Sequence, residues 1–299
     1  MPCKVLPSIW LAEFRSKSDF DQFIVENRDQ LMLFLDIDDR LTRDRHAFWF
    51  KAWCSVCSDV TAMQMSWHNS SIDQGGSVQP AWTEINACQR CGHNSRMRAL
   101  FDALTSLYAL PKDSSIYMAE QVTPSFSVIK SIYQNTVGSE FLGSHHSPGE
   151  HTFNEILAKA VRHEDMTRLS FEDESFDAVI TQDVFEHIPN FDKAFLECRR
   201  ILKPDGLMLF TIPFFSGIQK TEICAVVNAD GSLTHLYPPE VHGNPVDGGG
   251  SLCFQHFGWS ILDDLKASGF ADVIAHLYWG PWAGHRGGPF FVFSATIKQ

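Results

Sequence analysis

The spacing of apolar and polar positions along the chain changes near Pro111. Upstream of it, residues 8–50 carry apolar side chains at helical spacing, and residues 95–110 repeat that spacing in SRMRALFDALTSLYAL. Proline cannot continue a helix, so the second of these predicted helices ends at Pro111.

Downstream of Pro111, short apolar runs alternate with helical patterns. The predicted strands, in chain order, are SSIYMAE, NTVGSEF, FDAVIT, LMLFTIP, DVIAHLYW and PFFVFSATIK. The predicted helices are PSFSVIKSIYQ, TFNEILAKAV, NFDKAFLECRRIL and WSILDDLKASGF. This alternation predicts an α/β fold with a doubly wound parallel sheet, and the two neighbouring strands at the C-terminus predict an antiparallel edge.

These patterns predict three regions. Residues 1–50 form an N-terminal helical region, residues 51–112 a cysteine-containing segment with a linking helix, and residues 113–299 the α/β domain. Within that domain, residues 214–257 interrupt the alternation and contain many prolines, glycines and aromatic residues. Because a long connection of this kind is typically functional, we expect it to cover a substrate at the carboxyl ends of the strands.

The composition narrows the class of protein. The chain has 299 residues, of which 44% are hydrophobic, and a formal net charge of −12. This acidic balance disfavours nucleic acid as a partner, since phosphate binding needs a basic face. No apolar run reaches the roughly 18 residues of a membrane span, and the N-terminus lacks a signal-peptide apolar region. We therefore expect a cytoplasmic protein without a membrane partner.

Four of the eight cysteines form two CxxC pairs, Cys54 with Cys57 and Cys88 with Cys91. In a reducing compartment such pairs favour metal over disulfide, and four thiolates hold one zinc ion tetrahedrally. Such a site has no open position, so the predicted zinc is structural. The alternatives are buried free cysteines or a redox pair, and His93 is a further candidate ligand.

Acidic residues follow three of the predicted strands, namely Glu120, Glu140 and Asp183. Glu140 follows Glu120 by twenty positions, the offset at which an acid binds a nucleoside ribose in doubly wound sheets. Asp165 is placed to accept a hydrogen bond from an adenine amino group. Neither a Walker loop nor a GxGxxG turn is present, which points to an adenosine rather than a dinucleotide. The acids at 172–174 are expected to be solvated turn residues.

Three motifs in the second half of the chain resemble class I S-adenosylmethionine-dependent methyltransferases of the methyltransferase type 11-like kind. They are EDMTRLSFEDESFD at residues 164–177, DVFEHIP at 183–189 and LKPDG at 202–206. HLYPPEVHGNPV and FGWSILDDLKASGF further resemble a subgroup in which a zinc-ribbon-like segment precedes the methyltransferase domain. The resemblance covers about residues 113–299 and implies a Rossmann-like seven-stranded sheet with S-adenosyl-L-methionine as cofactor.

The resemblance also implies roles for individual residues. Glu120 ends the first strand, Glu140 holds the ribose, Asp165 the adenine and Met166 packs beside the ring, while Asp183 faces the methionine part or the substrate. One departure concerns the Gly-x-Gly turn that follows the first strand in the family, where the backbone approaches the cofactor closely. Here residues 121–124 read QVTP instead.

This departure keeps a second class of function open. A non-catalytic methyltransferase-like module, interacting through its zinc segment, is the alternative to an enzyme. A nicotinamide dehydrogenase is disfavoured because its pyrophosphate turn is missing. Binding of S-adenosylmethionine and its demethylated product distinguishes the enzyme from the interaction module.

The implied activity is transfer of a methyl group to an oxygen or nitrogen of a small molecule by in-line displacement. Such a nucleophile can need a base, and the candidates are His187, His235, His242 and His256, with His242 and His256 preferred. Aromatic residues around residues 214–257 predict a largely apolar acceptor pocket. Association as a homodimer is left open.

Overall fold

The computed structural model describes residues 10–68, 70–72, 78–155, 158–246 and 248–297. Its α-helices are α1 (Lys17–Glu26), α2 (Arg28–Thr42), α3 (Trp82–Ile85), α4 (Ser95–Asp102), α5 (Pro124–Ile132), α6 (Phe191–Ile201) and α7 (Ile261–Ala267). A π-helical turn, Ala103–Leu107, continues α4, and 3₁₀ turns cover Phe185–His187 and Pro281–Ala283. Within the described ranges, no helix is both long and apolar enough to cross a membrane.

The strands are mostly short outside one large sheet. They are β1 (Ala12–Phe14), β2 (Phe48–Cys54), β3 (Asp59–Met65), β4 (Ser71–Ile72), β5 (Val78–Gln79), β6 (Ala87–Cys88), β7 (Ile116–Met118), β8 (Thr136–Gly138), β9 (His151–Asn154), β10 (Lys159–Arg162), β11 (Phe176–Gln182), β12 (Leu202–Thr211), β13 (Glu222–Ile223), β14 (Ala225–Val227), β15 (Leu233–His235), β16 (Val241–His242), β17 (Ser251–Leu252), β18 (Gln255–His256), β19 (Asp272–Gly280) and β20 (His285–Thr296).

The large sheet has seven strands in the order β1-β19-β20-β12-β11-β7-β8. Strands β8, β7, β11 and β12 run parallel, whereas β20 pairs antiparallel with β12 and β1 antiparallel with β19. The predicted doubly wound, Rossmann-like sheet with an antiparallel edge is therefore confirmed. The added edge strand β1 was not predicted, because three residues are too few to show a strand period.

Local sequence explains the elements that lead to the carboxyl edge of this sheet. Strand β11, with the sequence FDAVITQ, has an apolar centre at residues 178–180 and is buried along nearly its whole length, as expected of a central parallel strand. Helix α5 begins where the Thr123 side chain accepts a hydrogen bond from the Phe126 N–H, and Pro124 occupies its first turn. The connection from β7 to α5 is thus a short, capped loop.

The described chain divides into two compact units. The first contains the described residues up to 14, residues 18–109 and residues 275–292, and the second contains residues 15–17, 110–274 and the described residues from 293. The predicted regions 1–50 and 51–112 both fall largely in the first unit, and the predicted boundary at 112 lies close to 109. Those predicted domain limits otherwise remain predictions.

The helix predicted from TFNEILAKAV is wrong. Its residues form the hairpin of β9 and β10, in which Lys159 pairs with Asn154 and Arg162 with His151, while residues 156–157 lie outside the described ranges. The segment contains good helix formers, but tertiary hydrogen bonds override that preference. The Gln121 side chain donates to the Ala160 carbonyl at 3.3 Å and accepts from the Arg162 N–H at 2.9 Å.

Candidate functional site

Acidic residues lie at the carboxyl ends of three parallel strands. Glu120 follows β7 by two residues, Glu140 follows β8 by two, and Asp183 comes directly after β11. Since β8, β7 and β11 are neighbours and run in the same direction, these residues lie at one edge of the sheet. This is the arrangement that the sequence predicted.

Asp165 is brought to the same edge by a short parallel bridge between Glu140 and His163. The Glu140 N–H donates to the Arg162 carbonyl at 2.9 Å, and the Glu164 N–H donates to the Glu140 carbonyl at 3.1 Å. This bridge extends the sheet beyond β8 by one strand-like step. The segment that contains Asp165 therefore runs beside Glu140.

The Glu140 side chain holds the loop that lacks the glycine turn. Its Oε1 accepts hydrogen bonds from the N–H groups of Gln121 at 2.6 Å and Val122 at 2.9 Å. Burial raises the pKa of Glu140, although the two backbone hydrogen bonds oppose that effect. The loop is thus shaped by a carboxylate, where the resembled family uses glycine.

A glycine is nevertheless needed nearby, at the end of β8. A Cβ on Gly138 would overlap the Phe126 ring and lie 2.8 Å from the Glu120 carbonyl oxygen. The backbone of β8 therefore approaches both α5 and the loop after β7 more closely than any side chain permits. The sequence analysis missed Gly138, whose signal was a glycine two residues before the ribose-binding candidate.

Met166 and Asp183 occupy defined positions at this edge. Met166 is buried, and the Tyr117 hydroxyl donates to its Sδ at 3.4 Å. Asp183 has a φ of 51°, in the left-handed region that non-glycine residues rarely adopt, and its Oδ1 accepts from the Thr211 hydroxyl at 2.8 Å. Backbone strain of this kind is typical of functional sites.

Asp165 is itself engaged in a local turn. Its Oδ1 accepts from the Thr167 N–H at 2.8 Å and from the Thr167 hydroxyl at 2.7 Å. These two hydrogen bonds fix the carboxylate at the start of the segment that follows the bridge. They leave its second oxygen as the atom with which an adenine amino group could interact.

A second group of side chains lies just after β11, and we call it the histidine–carboxylate cluster: Glu186, His187, Glu240, His242 and His256. Glu186 is 0% exposed, and its Oε1 lies 3.5 Å from His187 Nε2 and 3.7 Å from His242 Nδ1. Glu240 accepts from His242 Nε2 at 2.9 Å and from His256 Nε2 at 2.8 Å. Three of the four predicted base candidates therefore belong to one cluster, and His235 does not.

The protonation of this cluster follows from burial and neighbouring charge. Burial raises the pKa of Glu186 to about 7 and lowers the pKa of His187. Interaction with the Glu186 and Glu240 carboxylates raises the pKa of His242 to about 9. Burial favours a higher pKa for Glu240, but the hydrogen bonds from His242 and His256 outweigh it and lower that pKa.

The insertion at 214–257 contacts the segment after β11. The Phe254 N–H donates to the Glu186 carbonyl at 2.8 Å, and His187 Nδ1 donates to the Leu252 carbonyl at 2.8 Å. The Gln255 side-chain amide donates to the Ile188 carbonyl at 3.1 Å. The insertion is thus anchored at the carboxyl end of a central strand, as expected, and its role as a substrate cover remains a prediction.

Sequence reasoning missed two members of the cluster, Glu186 and Glu240. A signal for Glu240 was present, because it precedes His242 by two positions and residues so spaced on an extended chain share a face. Burial of Glu186, by contrast, depends on the distant insertion. His235 is exposed on β15 and lies outside the cluster.

The four cysteines of the CxxC pairs meet in the first unit. Cys54 Sγ lies 3.7 Å from Cys91 Sγ, and Cys57 Sγ lies 3.9 Å from Cys88 Sγ. A tetrahedral zinc with Zn–S bonds of about 2.3 Å places its sulfurs about 3.8 Å apart, so the thiols fit that ion. The neighbouring Cys54 thiol lowers the pKa of Cys91 to about 3, whereas burial raises the pKa of Cys57 to about 11.

His93 is not among the residues of this candidate metal site. The four cysteines together form a candidate metal cluster among the described residues, with all ligand atoms within 4.8 Å of one another. The His93 Nδ1 instead lies 3.0 Å from the Cys91 carbonyl oxygen. All four cysteines are free thiols, not disulfides.

Comparison with known proteins agrees with the resemblance in the sequence. Residues 130–210 match the family model described as a methyltransferase domain. No curated protein matches the chain. The matched residues include β8, β11 and α6, together with Glu140, Asp165, Asp183 and Glu186.

Several solved structures are similar to this chain. An S-adenosylmethionine-dependent methyltransferase from Mesorhizobium loti is 16% identical with a TM-score of 0.41, over 66% of this chain and 97% of that one. Burkholderia thailandensis 1,6-didemethyltoxoflavin-N1-methyltransferase, with its acceptor and S-adenosylhomocysteine bound, is 14% identical with a TM-score of 0.40, over 69% and 79%. A Methanosarcina mazei methyltransferase is 15% identical with a TM-score of 0.38, over 65% and 98%. Similarity at this level supports no inference about an acceptor.

Proposed function

We propose that this chain, which carries a class I S-adenosylmethionine-dependent methyltransferase domain, moves a methyl group to an oxygen or nitrogen of a small molecule. The observation that carries the proposal is the edge where Glu120, Glu140 and Asp183 follow three neighbouring parallel strands. The bridge from Glu140 to His163 adds Asp165 to that edge. Together they form an acidic surface suited to the hydroxyl and amino groups of an adenosine.

The residues at this edge fit the proposed cofactor. Glu140 Oε1 accepts hydrogen bonds from the backbone of the loop after β7, which leaves Oε2 to accept from the ribose hydroxyls. Asp165 Oδ1 accepts hydrogen bonds from Thr167, which leaves Oδ2 to accept from the adenine amino group. Met166 provides an apolar surface beside them. Asp183, after β11, is placed toward the methionine part or the acceptor.

When bound, S-adenosylmethionine would supply an electrophilic methyl group on a sulfonium, a neutral thioether being the leaving group. The chain's task is to hold the acceptor in line and to take its proton. The histidine–carboxylate cluster after β11 is the proposed place for that proton, with His187, His242 and His256 as candidate bases. The 214–257 insertion supplies the remaining walls of the acceptor pocket.

We propose His187 and His256 as the stronger candidates for this role, whereas the sequence analysis preferred His242 and His256. His187 donates from Nδ1 to a carbonyl, so its Nε2 carries the lone pair, and its lowered pKa keeps it neutral near pH 7. His242, with a pKa of about 9, is already protonated at that pH in the absence of another cation. His256 bonds Glu240 through Nε2, which leaves Nδ1 for a proton.

The cysteine group in the first unit is proposed to hold a structural zinc ion. The sulfur separations that match a tetrahedral ion support it. Four thiolates leave no position for a substrate, so this ion takes no part in methyl transfer.

Calorimetric titration of the purified protein with S-adenosylmethionine and S-adenosylhomocysteine tests the proposal. We expect both to bind, and a methyl-labelled cofactor to transfer label to a compound in a small-molecule extract. Binding of neither would instead favour the non-catalytic interaction module. Binding without transfer to any small molecule, but with transfer to protein or nucleic acid, would overturn the acceptor class alone.

Substitution of the histidines then locates the base. Removing a true base should lower turnover by about 10²–10⁴-fold while leaving cofactor affinity nearly unchanged. The variants are His187→Ala, His242→Ala and His256→Ala, with His235→Ala as the exposed control on the same insertion. Wild-type turnover in all three would leave catalysis to positioning and exclude the cluster as a base.

A further inference from the structure

We infer that Glu186, His187 and His242 form a binding site for a divalent transition-metal cation, separate from the cysteine cluster. Their ligand atoms all lie within 4.8 Å of one another. Two imidazoles and one carboxylate are a ligand set that suits iron, cobalt, manganese or zinc and leaves further positions on the ion open. The inference rests on the proposed function only for the role of the ion.

The first reason is the state of the Glu186 carboxylate. Its side chain is 0% exposed, and within the described part of the chain neither carboxylate oxygen has a hydrogen-bond donor. Buried polar atoms in folded proteins are nearly always satisfied, and a buried carboxylate is satisfied by hydrogen bonds, a charged partner or a metal. The two nearest nitrogens, on His187 and His242, lie at 3.5 Å and 3.7 Å, too far for a hydrogen bond.

The second reason is the direction of the two histidine lone pairs. The Leu252 carbonyl can only accept, so His187 Nδ1 carries the hydrogen and Nε2 presents a lone pair to Glu186. His242 Nε2 donates to the Glu240 carboxylate, so its Nδ1, when the ring is neutral, presents a lone pair to the same oxygen. With both rings neutral, three electron-rich atoms converge, and a cation bound between them would take the place of the proton on His242 and remove their repulsion.

The third reason is that both histidines have the outer contacts typical of metal ligands. A ligating histidine usually donates its other N–H to a backbone carbonyl or a carboxylate, which fixes the ring and raises its basicity. His187 uses the carbonyl of Leu252, and His242 uses the carboxylate of Glu240. Glu240 is held in turn by His256 at 2.8 Å.

The separations also match an ion. A tetrahedral metal with bonds of about 2.1 Å to nitrogen and oxygen has ligand atoms about 3.4 Å apart. The distances from Glu186 Oε1 to His187 Nε2 and His242 Nδ1, 3.5 Å and 3.7 Å, are close to that ligand separation. Small side-chain rotations would remove the difference. An ordinary ion pair between Glu186 and His242 would instead shorten to hydrogen-bond distance, as the pair of His242 and Glu240 does at 2.9 Å.

The hairpin of β16 and β17 makes the site one unit of structure. Val241 pairs with Leu252 and His242 with Ser251, so this hairpin supplies both the ligand His242 and the carbonyl that orients His187. Glu186 and His187 themselves lie on the 3₁₀ turn directly after β11. An acceptor oxygen or nitrogen bound at an open position of the ion would lose its proton more easily, because a metal lowers the pKa of its ligands. His256 would then be left as the base.

Cobalt binding to tag-free protein that holds one zinc ion per chain tests the site without any cofactor or activity. Four thiolates hold that single zinc ion more tightly than two imidazoles and a carboxylate do, so the proposed site stays available to Co²⁺, and zinc content is measured in parallel. We expect the wild type to bind one Co²⁺ per chain, with the absorption of nitrogen and oxygen ligands and no sulfur-to-cobalt charge-transfer band. Glu186→Gln and His187→Ala should each weaken Co²⁺ at least about 100-fold, and Glu240→Gln about 10–100-fold through the loss of an outer contact.

Glu222→Gln and His235→Ala are matched controls, because both residues are exposed on the same insertion and lie outside the cluster. Thermal unfolding guards against misfolded variants. Co²⁺ should raise the melting temperature of the wild type and not that of Glu186→Gln. Absence of Co²⁺ binding by zinc-loaded wild type, or equal binding by Glu186→Gln, would overturn the site and leave the proposed methyl transfer untouched.

Discussion

In the proposed function, Glu140 combines two tasks that the resembled family divides between a carboxylate and a glycine turn. Its Oε1 shapes the loop after β7 through two backbone N–H groups, and its Oε2 is free to face the ribose. The missing glycines therefore do not by themselves argue against cofactor binding. The position of the loop depends on a side chain from the neighbouring strand, which makes Glu140 more critical here than a ribose contact alone would be.

We predict that Glu140→Ala weakens S-adenosylmethionine binding far more than Glu172→Ala. The first change removes charge-assisted hydrogen bonds, each worth about 1.5–3 kcal/mol, and it also releases the loop. Glu172 is an exposed turn residue, and its loss should change affinity by less than about 0.5 kcal/mol. Calorimetry of both variants checks this, and equal affinity would remove Glu140 from the site.

The stability of cofactor-free protein should depend on pH through the same residue. Burial raises the pKa of Glu140 in the folded state, so its contribution is fully present below the unfolded pKa and is lost as the pH rises through the folded value. Glu140→Gln keeps an acceptor oxygen without the charge. Relative to this variant, the wild type should therefore lose stability from about pH 4.5 upward. Urea unfolding at about pH 5 and pH 8 measures the difference, and a difference that is constant or of opposite sign would contradict it.

Strand β8 and helix α5 approach each other through Gly138. The missing side chain lets the Phe126 ring and the Glu120 carbonyl lie against the strand backbone, and this brings the loop after β7 within reach of Glu140. The hairpin of β9 and β10 supports the same loop through the Gln121 side chain. Close packing of short elements thus positions the loop after β7 at the carboxyl edge of the sheet.

Gly138→Ala is expected to destabilise the protein by about 1–3 kcal/mol, the usual range for overpacking a tight site. It should also weaken S-adenosylmethionine binding, because relief of the overlap moves the loop away from Glu140. Gly217→Ala is the control, since a Cβ there meets nothing within 4 Å. Denaturant unfolding with calorimetry gives both effects, and a Gly138→Ala protein as stable as Gly217→Ala would show that the backbone relaxes freely.

The two compact units carry different chemistry. The first contains the four cysteines, which join β2, β3 and β6 through the buried Cys54 and Cys88. The second contains the acidic edge of the sheet and the histidine–carboxylate cluster. Each unit is therefore expected to depend on a different ion or ligand.

Removal of zinc should loosen the first unit specifically. Metal binding of this kind is coupled to folding, so Cys88→Ser or treatment with a chelator should increase hydrogen exchange across residues 48–91. Cys198→Ala is the control, because Cys198 is buried in α6 and is not one of the four candidate ligands, so its loss should leave the zinc content unchanged. Less than about half an equivalent of zinc in gently purified protein would contradict the site.

The sequence by itself determined the elements whose signals are local or repeated. Alternating apolar runs specified the parallel strands, the paired CxxC units specified the cysteine group, and acids just past strand ends specified the edge of the sheet. Strand direction then brought Glu140 and Asp183 together, because parallel strands end on the same side.

Only the tertiary structure decided the features that depend on residues far apart in the chain. The hairpin of β9 and β10 replaced a predicted helix because Gln121 satisfies its backbone, and β1 joined the sheet by pairing with β19 across more than 250 residues. The burial of Glu186 depends on the insertion, which also delivers His242 to it. Local patterns cannot show such contacts, because burial and side-chain direction arise only when distant segments pack.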